Sequence, residues 1–245
     1  MTDVLALGWG VWVYCAAAVF AGTLLQRLAG QGFGMVAAPL IALVAPEFLP
    51  ATLLLIGAVV GFGATAVDRS AVARHELPAG FAGRALGAVL AVGIAVALPD
   101  AEALAAVVAL VVYLGIALSV MGVRVAIRPV SLFSAGVVAG IMGTLTAVGA
   151  PPMALLYQHE AQKRSAAMQN TFFAWGMVVS IAALAVAGLV GWRHVVLAAS
   201  LVPAAVLALW LAQPLAARVA RARIRPYALG LAGTAATVLL AKTLI

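Results

Sequence analysis

Apolar runs separated by brief polar breaks follow one another along the whole chain, and most are long enough to cross a bilayer as helices. The first covers residues 4–25. A short one, 33–45, comes next, bracketed by the glycines of Gly30-Gln31-Gly32-Phe33-Gly34 and by Pro46. At about 1.5 Å per residue it reaches roughly 20 Å, less than the roughly 30 Å hydrocarbon core. The runs 51–67, 77–98 and 103–123 follow, divided by the basic break Asp68-Arg69-Ser70-Ala71-Val72-Ala73-Arg74-His75-Glu76 and the acidic break Pro99-Asp100-Ala101-Glu102. After Arg124 and Arg128 the same order returns. A span at 131–147 leads to a segment too short to cross unaided at 149–158, then to the basic break His159-Glu160-Ala161-Gln162-Lys163-Arg164 and spans at 167–190, 195–211 and 227–244.

Ala51 maps onto Ala167, Ala103 onto Tyr227, and Pro39 onto Pro151 or Pro152. This predicts an all-α polytopic inner-membrane protein of two repeats, 1–124 and 125–245, each with about five hydrophobic helices of which the second is short or broken. If every element crosses, an odd number per half inverts the second half relative to the first, as in many secondary transporters. The cations fit that arrangement. With the N-terminus outside and ten crossings, twelve of the fourteen lie on or near the cytoplasmic side, and only Arg193 and Lys242 lie outside. Short segments that turned back would put Arg69 and Arg74 outside, against the positive-inside rule. The first run lacks a basic region ahead of it, its first charge being Asp3 and its first cation Arg27, so it is expected to be retained, with both termini in the periplasm.

Composition narrows the function classes. Hydrophobic residues make up 66% of the 245 and charged residues 9%, where a soluble domain carries about 25% charged residues. Mean hydropathy is +1.20. A water-soluble globule is excluded, and with it most soluble enzyme folds. The net charge of +7 does not point to nucleic acid, because the cations sit in small groups between apolar runs, where they set topology. The one cysteine, Cys15, forms no internal disulfide. The three His fall in loops and the acids are peripheral, so neither a metal site nor an intramembrane enzyme is expected. No Walker lysine motif is present for ATP. A membrane scaffold would account for the shortage of intramembrane charge but not for the paired broken helices.

Candidate chemistry concentrates at the entries to the two short segments. A helix that starts within the bilayer presents unpaired N–H groups and the positive end of its dipole, and glycine lets a ligand or a backbone come close. Gln31, Gly32 and Gly34 stand at the first entry, with Pro39 inside the segment. Thr144, Thr146, Gly149, Pro151 and Pro152 surround the second, where proline suits the first turn because its missing N–H would be unpaired anyway. Two such ends supply close to one unit of positive charge, so an anion could bind between them near the midplane, with Gln31, the threonines and Asn170 as neutral donors. Arg27 and Arg84 are the cations nearest the hydrophobic core. Either could balance an anion, although snorkelling to the cytoplasmic interface is their expected fate. The competing reading of the glycines is close helix packing, for which Gly57 with Gly61, Gly83 with Gly87, and Gly136 with Gly140 have the right spacing. His75-Glu76 and His159-Glu160 read as solvated loops. Tyr14, Thr23, Thr52, Thr65 and Ser180 read as satisfied by their own helices.

The stretches Gly30-Gln31-Gly32-Phe33-Gly34-Met35-Val36-Ala37-Ala38-Pro39-Leu40 and Gly140-Ile141-Met142-Gly143-Thr144-Leu145-Thr146-Ala147-Val148-Gly149-Ala150-Pro151-Pro152 make the chain resemble the sulfite exporter TauE/SafE family of membrane permeases, nearly end to end. Ala150 stands where the resemblance leads one to expect a second glycine before the proline. The resemblance implies a bacterial inner-membrane transporter of small sulfur-containing anions such as sulfite, sulfonates or sulfoacetate. It would work by alternating access, with the anion held between the broken helices; the alternative cargo is a non-sulfur carboxylate. No cofactor is implied, and coupling to H+ or Na+ is left open. The partners expected are the small anion, the lipid bilayer and, as an option, a second copy in a homodimer.

Overall fold

The computed structural model describes residues 8–29, 32–216, 218–219 and 221–244, and among these all regular structure is helical, as expected. The α-helices are α1 (Gly8–Ala29), α2 (Phe33–Ala42), α3 (Ala51–Asp68), α4 (Leu77–Ala97), α5 (Ala101–Val120), α6 (Pro129–Thr146), α7 (Pro151–Tyr157), α8 (Gln162–Val186), α9 (Trp192–Ala216) and α10 (Arg221–Leu244). Seven of them, all but α2, α3 and α7, contain a stretch long and apolar enough to cross a membrane by itself. Leu86, Val89 and Leu90 of α4, Leu110 and Leu114 of α5, and Val206 and Leu207 of α9 are exposed. So much apolar surface is unsuited to water and ordinary against lipid.

Local sequence explains where the helices begin. The Asp100 carboxylate accepts the Ala103 N–H at 2.8 Å and so caps α5. Pro129 opens α6, and Pro151 with Pro152 opens α7. In α2, which is apolar all round, every residue but Leu40 is buried, as a helix without a polar face must be.

Helices α4 and α6 pack closely along each other, and glycine makes this interface. A side chain at Gly83 or Gly87 would run into the carbonyls of Phe133 and Val137, and one at Gly136 or Gly140 into those of Gly80 and Arg84. The two small-xxx-small motifs thus interlock face to face. Gly57 and Gly61 of α3 likewise lie against Met177 and Ala174 of α8.

Pairing the helices α1 with α6, α2 with α7, and so on to α5 with α10 leaves the main contacts unchanged. The α4–α6 interface becomes α9–α1, α1–α2 becomes α6–α7, α3–α9 becomes α8–α4, and α2–α10 becomes α7–α5, while α3–α8 and α5–α10 map onto themselves.

The breaks also run in opposite senses. At one end of the bundle, Tyr157 at the end of α7 donates its hydroxyl to Glu76 Oε2 at 2.7 Å, just before α4, and Gln158 donates to the Val123 carbonyl at 2.8 Å, just after α5. At the other end, Lys242 donates to the Leu43 carbonyl at 2.8 Å, just after α2, and His194 Nε2 lies 3.4 Å from the Glu47 carbonyl oxygen. The entries of both short helices lie beside the middle of α8, with Phe33 against Phe173, and Gly149 and Ala150 lining one small cavity with Phe172 and Phe173.

Candidate functional site

The chain breaks twice beside the middle of α8. After α1 it turns through Gly32, whose φ of 153° suits glycine, and α2 then folds back along α1. A Cβ at Gly22 would lie 2.8 Å from the Phe33 carbonyl oxygen. Gln26 of α1 closes this turn. Its Oε1 accepts the Phe33 N–H at 3.3 Å and its Nε2 donates to Asn170 Oδ1 of α8 at 3.5 Å, so one buried amide ties the start of α2 to α8.

At the second break α6 ends on Ala147 in the left-handed conformation, φ 61°, with its N–H donating to the Gly143 carbonyl at 2.8 Å. Thr146 stabilises the exit, donating to the Met142 carbonyl at 2.7 Å and accepting the Val148 N–H at 3.2 Å. Two residues earlier the Thr144 hydroxyl pairs with that of Ser180 at 2.7 Å. All three hydroxyls are buried.

The two breaks touch. A Cβ at Gly34 would overlap the carbonyl of Ala147 and stand 3.0 Å from the Val148 nitrogen. Phe33 packs edge-on against Phe173 of α8, ring centres 6.2 Å apart. Beside this junction, the Arg84 side chain enters from α4 and is buried against Gly143, Gly149 and Gly176.

Of the residues expected at the site, Gly32, Gly34, Thr144, Thr146, Gly149, Pro151 and Pro152 stand at the two breaks, and Asn170 joins the first of them through Gln26. Pro39 is buried in α2 well past the entry, and Arg27 is half-buried near the end of α1. Gln31 lies outside the described residues.

Several sequence expectations need correction. The span expected at 167–190 begins earlier, at Gln162, so Asn170 lies two turns inside α8. Arg84 does not snorkel; it is 3% exposed. Glu76 is not a solvated loop acid, since Tyr157 and Arg164 both bond to it and it is 8% exposed. Thr65 bonds to its own helix at Gly61 as expected, whereas Ser180 bonds across to Thr144, and the buried Thr23 and Thr52 hydroxyls have no partner among the described residues. Gln26 was missed altogether. Its one sequence signal is an amide one turn before the glycine-rich entry.

Towards the end of the bundle where α2 emerges lies a cavity of about 270 Å³. Glu47, Asp100 and Arg193 give it a charged rim beside His194, and Leu145 and Leu184 line it too, each one residue or one turn from the Thr144–Ser180 pair.

No curated protein and no solved structure matches the chain significantly. The family model described as Sulfite exporter TauE/SafE matches residues 14–239, nearly its whole length. With a polytopic helical fold and that match, the chain belongs to the sulfite exporter TauE/SafE family and is a multi-pass membrane transporter rather than an enzyme.

Proposed function

We propose that this protein carries sulfite or a related small sulfur oxyanion, such as a sulfonate or sulfoacetate, across the bacterial inner membrane by alternating access, with the anion bound where the two helix breaks meet. The observation that carries the reading is the contact of Gly34 with Ala147, which brings the entries of α2 and α7 together at mid-depth. Residues 1–124 and 125–245 act as two inverted repeats in this reading. The exchange of helix contacts between halves and the opposite exits of α2 and α7 support it.

Charge supports an orientation too. The end where α7 emerges carries Arg69, Arg74, Arg124, Arg128, Lys163 and Arg164 and faces the cytoplasm, whereas Glu47, Asp100 and Glu102 lie at the opposite, periplasmic end. The 270 Å³ cavity is then the periplasmic vestibule, and Leu145 and Leu184 separate it from the breaks. The space beside the breaks is only water-sized, about 10 Å³, so this arrangement is occluded and the anion enters when one repeat rocks against the other. Neutral donors at the breaks, Thr144 and Asn170, orient the anion without holding it too tightly for release. Accumulation of labelled sulfite by counterflow in proteoliposomes tests the reading; transport of small carboxylates with no response to sulfite would replace the cargo.

A further inference from the structure

Arg84 sits seven residues into α4, about 10 Å from its start at about 1.5 Å per residue. It is 3% exposed. Its Nη1 donates to the Ala139 carbonyl of α6, while Nε and Nη2, both buried, have no hydrogen-bond partner among the described residues. Among the described residues no carboxylate forms an ion pair with it. A buried cation without a counter-ion is costly in any protein and more so at membrane depth, where such a residue marks a pathway or a binding site.

The surrounding chain makes room for this charge. Side chains at Gly143, Gly149 or Gly176 would collide with the guanidinium, so glycines from three separate elements, α6, the α6–α7 turn and α8, form its slot. The water-sized cavity at the second break is lined by Arg84, Gly149 and Gln169 together with the apolar Met153, Phe172 and Phe173. No acid lines it. The two idle nitrogens are also a matched pair. Nε–H and one Nη2–H form the side-on fork of a guanidinium, which takes two oxygens of one oxyanion in parallel, and Nη1 fixes that fork to α6.

We infer that Arg84 is the counter-ion of the carried anion, its Nε/Nη2 edge taking two oxygens of a small oxyanion once the glycine walls part. The inference rests on the transport reading above and changes its electrostatics, because one fixed cation, not helix ends alone, meets the anion's charge. It also makes the site one-sided. The counterpart helix α9 has no cation between Arg193 and Arg218.

Thermal unfolding of the purified protein in detergent, with sodium sulfite or sodium methanesulfonate against sodium chloride at equal ionic strength, tests this on wild type, Arg84→Met and Arg84→Lys. Arg84→Met removes an unpaired buried charge, so without ligand it should unfold at or above the wild-type temperature, and the ligand-induced rise seen for wild type should vanish. Arg84→Lys keeps the charge but loses the fork, and its apparent affinity should fall at least about tenfold. A wild type that responds to neither salt overturns the transport reading and this inference with it. A responsive wild type whose Arg84→Met variant responds equally overturns the inference alone, as does an unliganded Arg84→Met that melts well below wild type yet keeps its response, which would make Arg84 a structural tie between α4 and α6. If Arg84→Met fails to insert, undiminished affinity in Arg84→Lys overturns the inference.

Discussion

Gly34, the second residue of α2, lies so close to the carbonyl of Ala147, the left-handed residue that ends α6, that no side chain fits between them. They are more than a hundred positions apart in sequence and join the entry of α2 to the end of α6. A valine at Gly34 must push the breaks apart. Gly34→Val is expected to insert normally, since the hydropathy of the spans is unchanged, and to lose transport about tenfold or more in proteoliposomes. Normal transport by a well-expressed Gly34→Val would remove the junction from the mechanism.

Gln26 and Asn170 form the polar link between the first break and α8. Truncating either removes buried hydrogen bonding, so Gln26→Leu and Asn170→Leu should each destabilise by about 1–3 kcal/mol. Removing both should cost clearly less than the sum, because either single change already breaks the bond between them. Additive losses in a double-mutant cycle of thermal unfolding would show that the two act independently.

The cluster of Glu76, Tyr157 and Arg164 holds the end of α7 to the starts of α4 and α8. Tyr157→Phe keeps the ring's packing against Phe172 and deletes the hydroxyl bond to Glu76. A loss of about 1–3 kcal/mol is expected, with faster amide exchange confined to α7. Unchanged exchange there would mean that α7 is held by packing alone.

Much of the architecture was legible because a bilayer imposes a coarse code of long apolar runs, charged breaks and glycine at the interruptions. The short helices expected at 33–45 and 149–158 appear as Phe33–Ala42 and Pro151–Tyr157. The interior polar network was less legible, for a physical reason in each case. Arg84 reads as a snorkelling cation because the glycines that bury it, Gly143, Gly149 and Gly176, are remote in sequence and act only after α4, α6 and α8 assemble. The span read as 167–190 starts late because the polar residues 162–165 resemble loop, yet the buried Ser165 and its bond from Gln169 at 2.7 Å continue α8 through them. Glu76 sits in a basic break whose composition says solvent, and its partners come from α7 and α8.

Topology follows from the distribution of charge at the two ends. In a Cys15→Ser background, His159→Cys should react with a membrane-impermeant maleimide only after the inner membrane is opened, and Arg193→Cys should react in intact spheroplasts; both positions are exposed. The reverse pattern would invert the orientation.

The most direct measurement is counterflow of radiolabelled sulfite into proteoliposomes preloaded with unlabelled sulfite, under an inert atmosphere, with wild type and Gly34→Val side by side. The account predicts transient, saturable accumulation for wild type, competition by small sulfonates, and its loss in Gly34→Val. Uptake by wild type no faster than into protein-free liposomes, or equal accumulation by the two proteins, would contradict it.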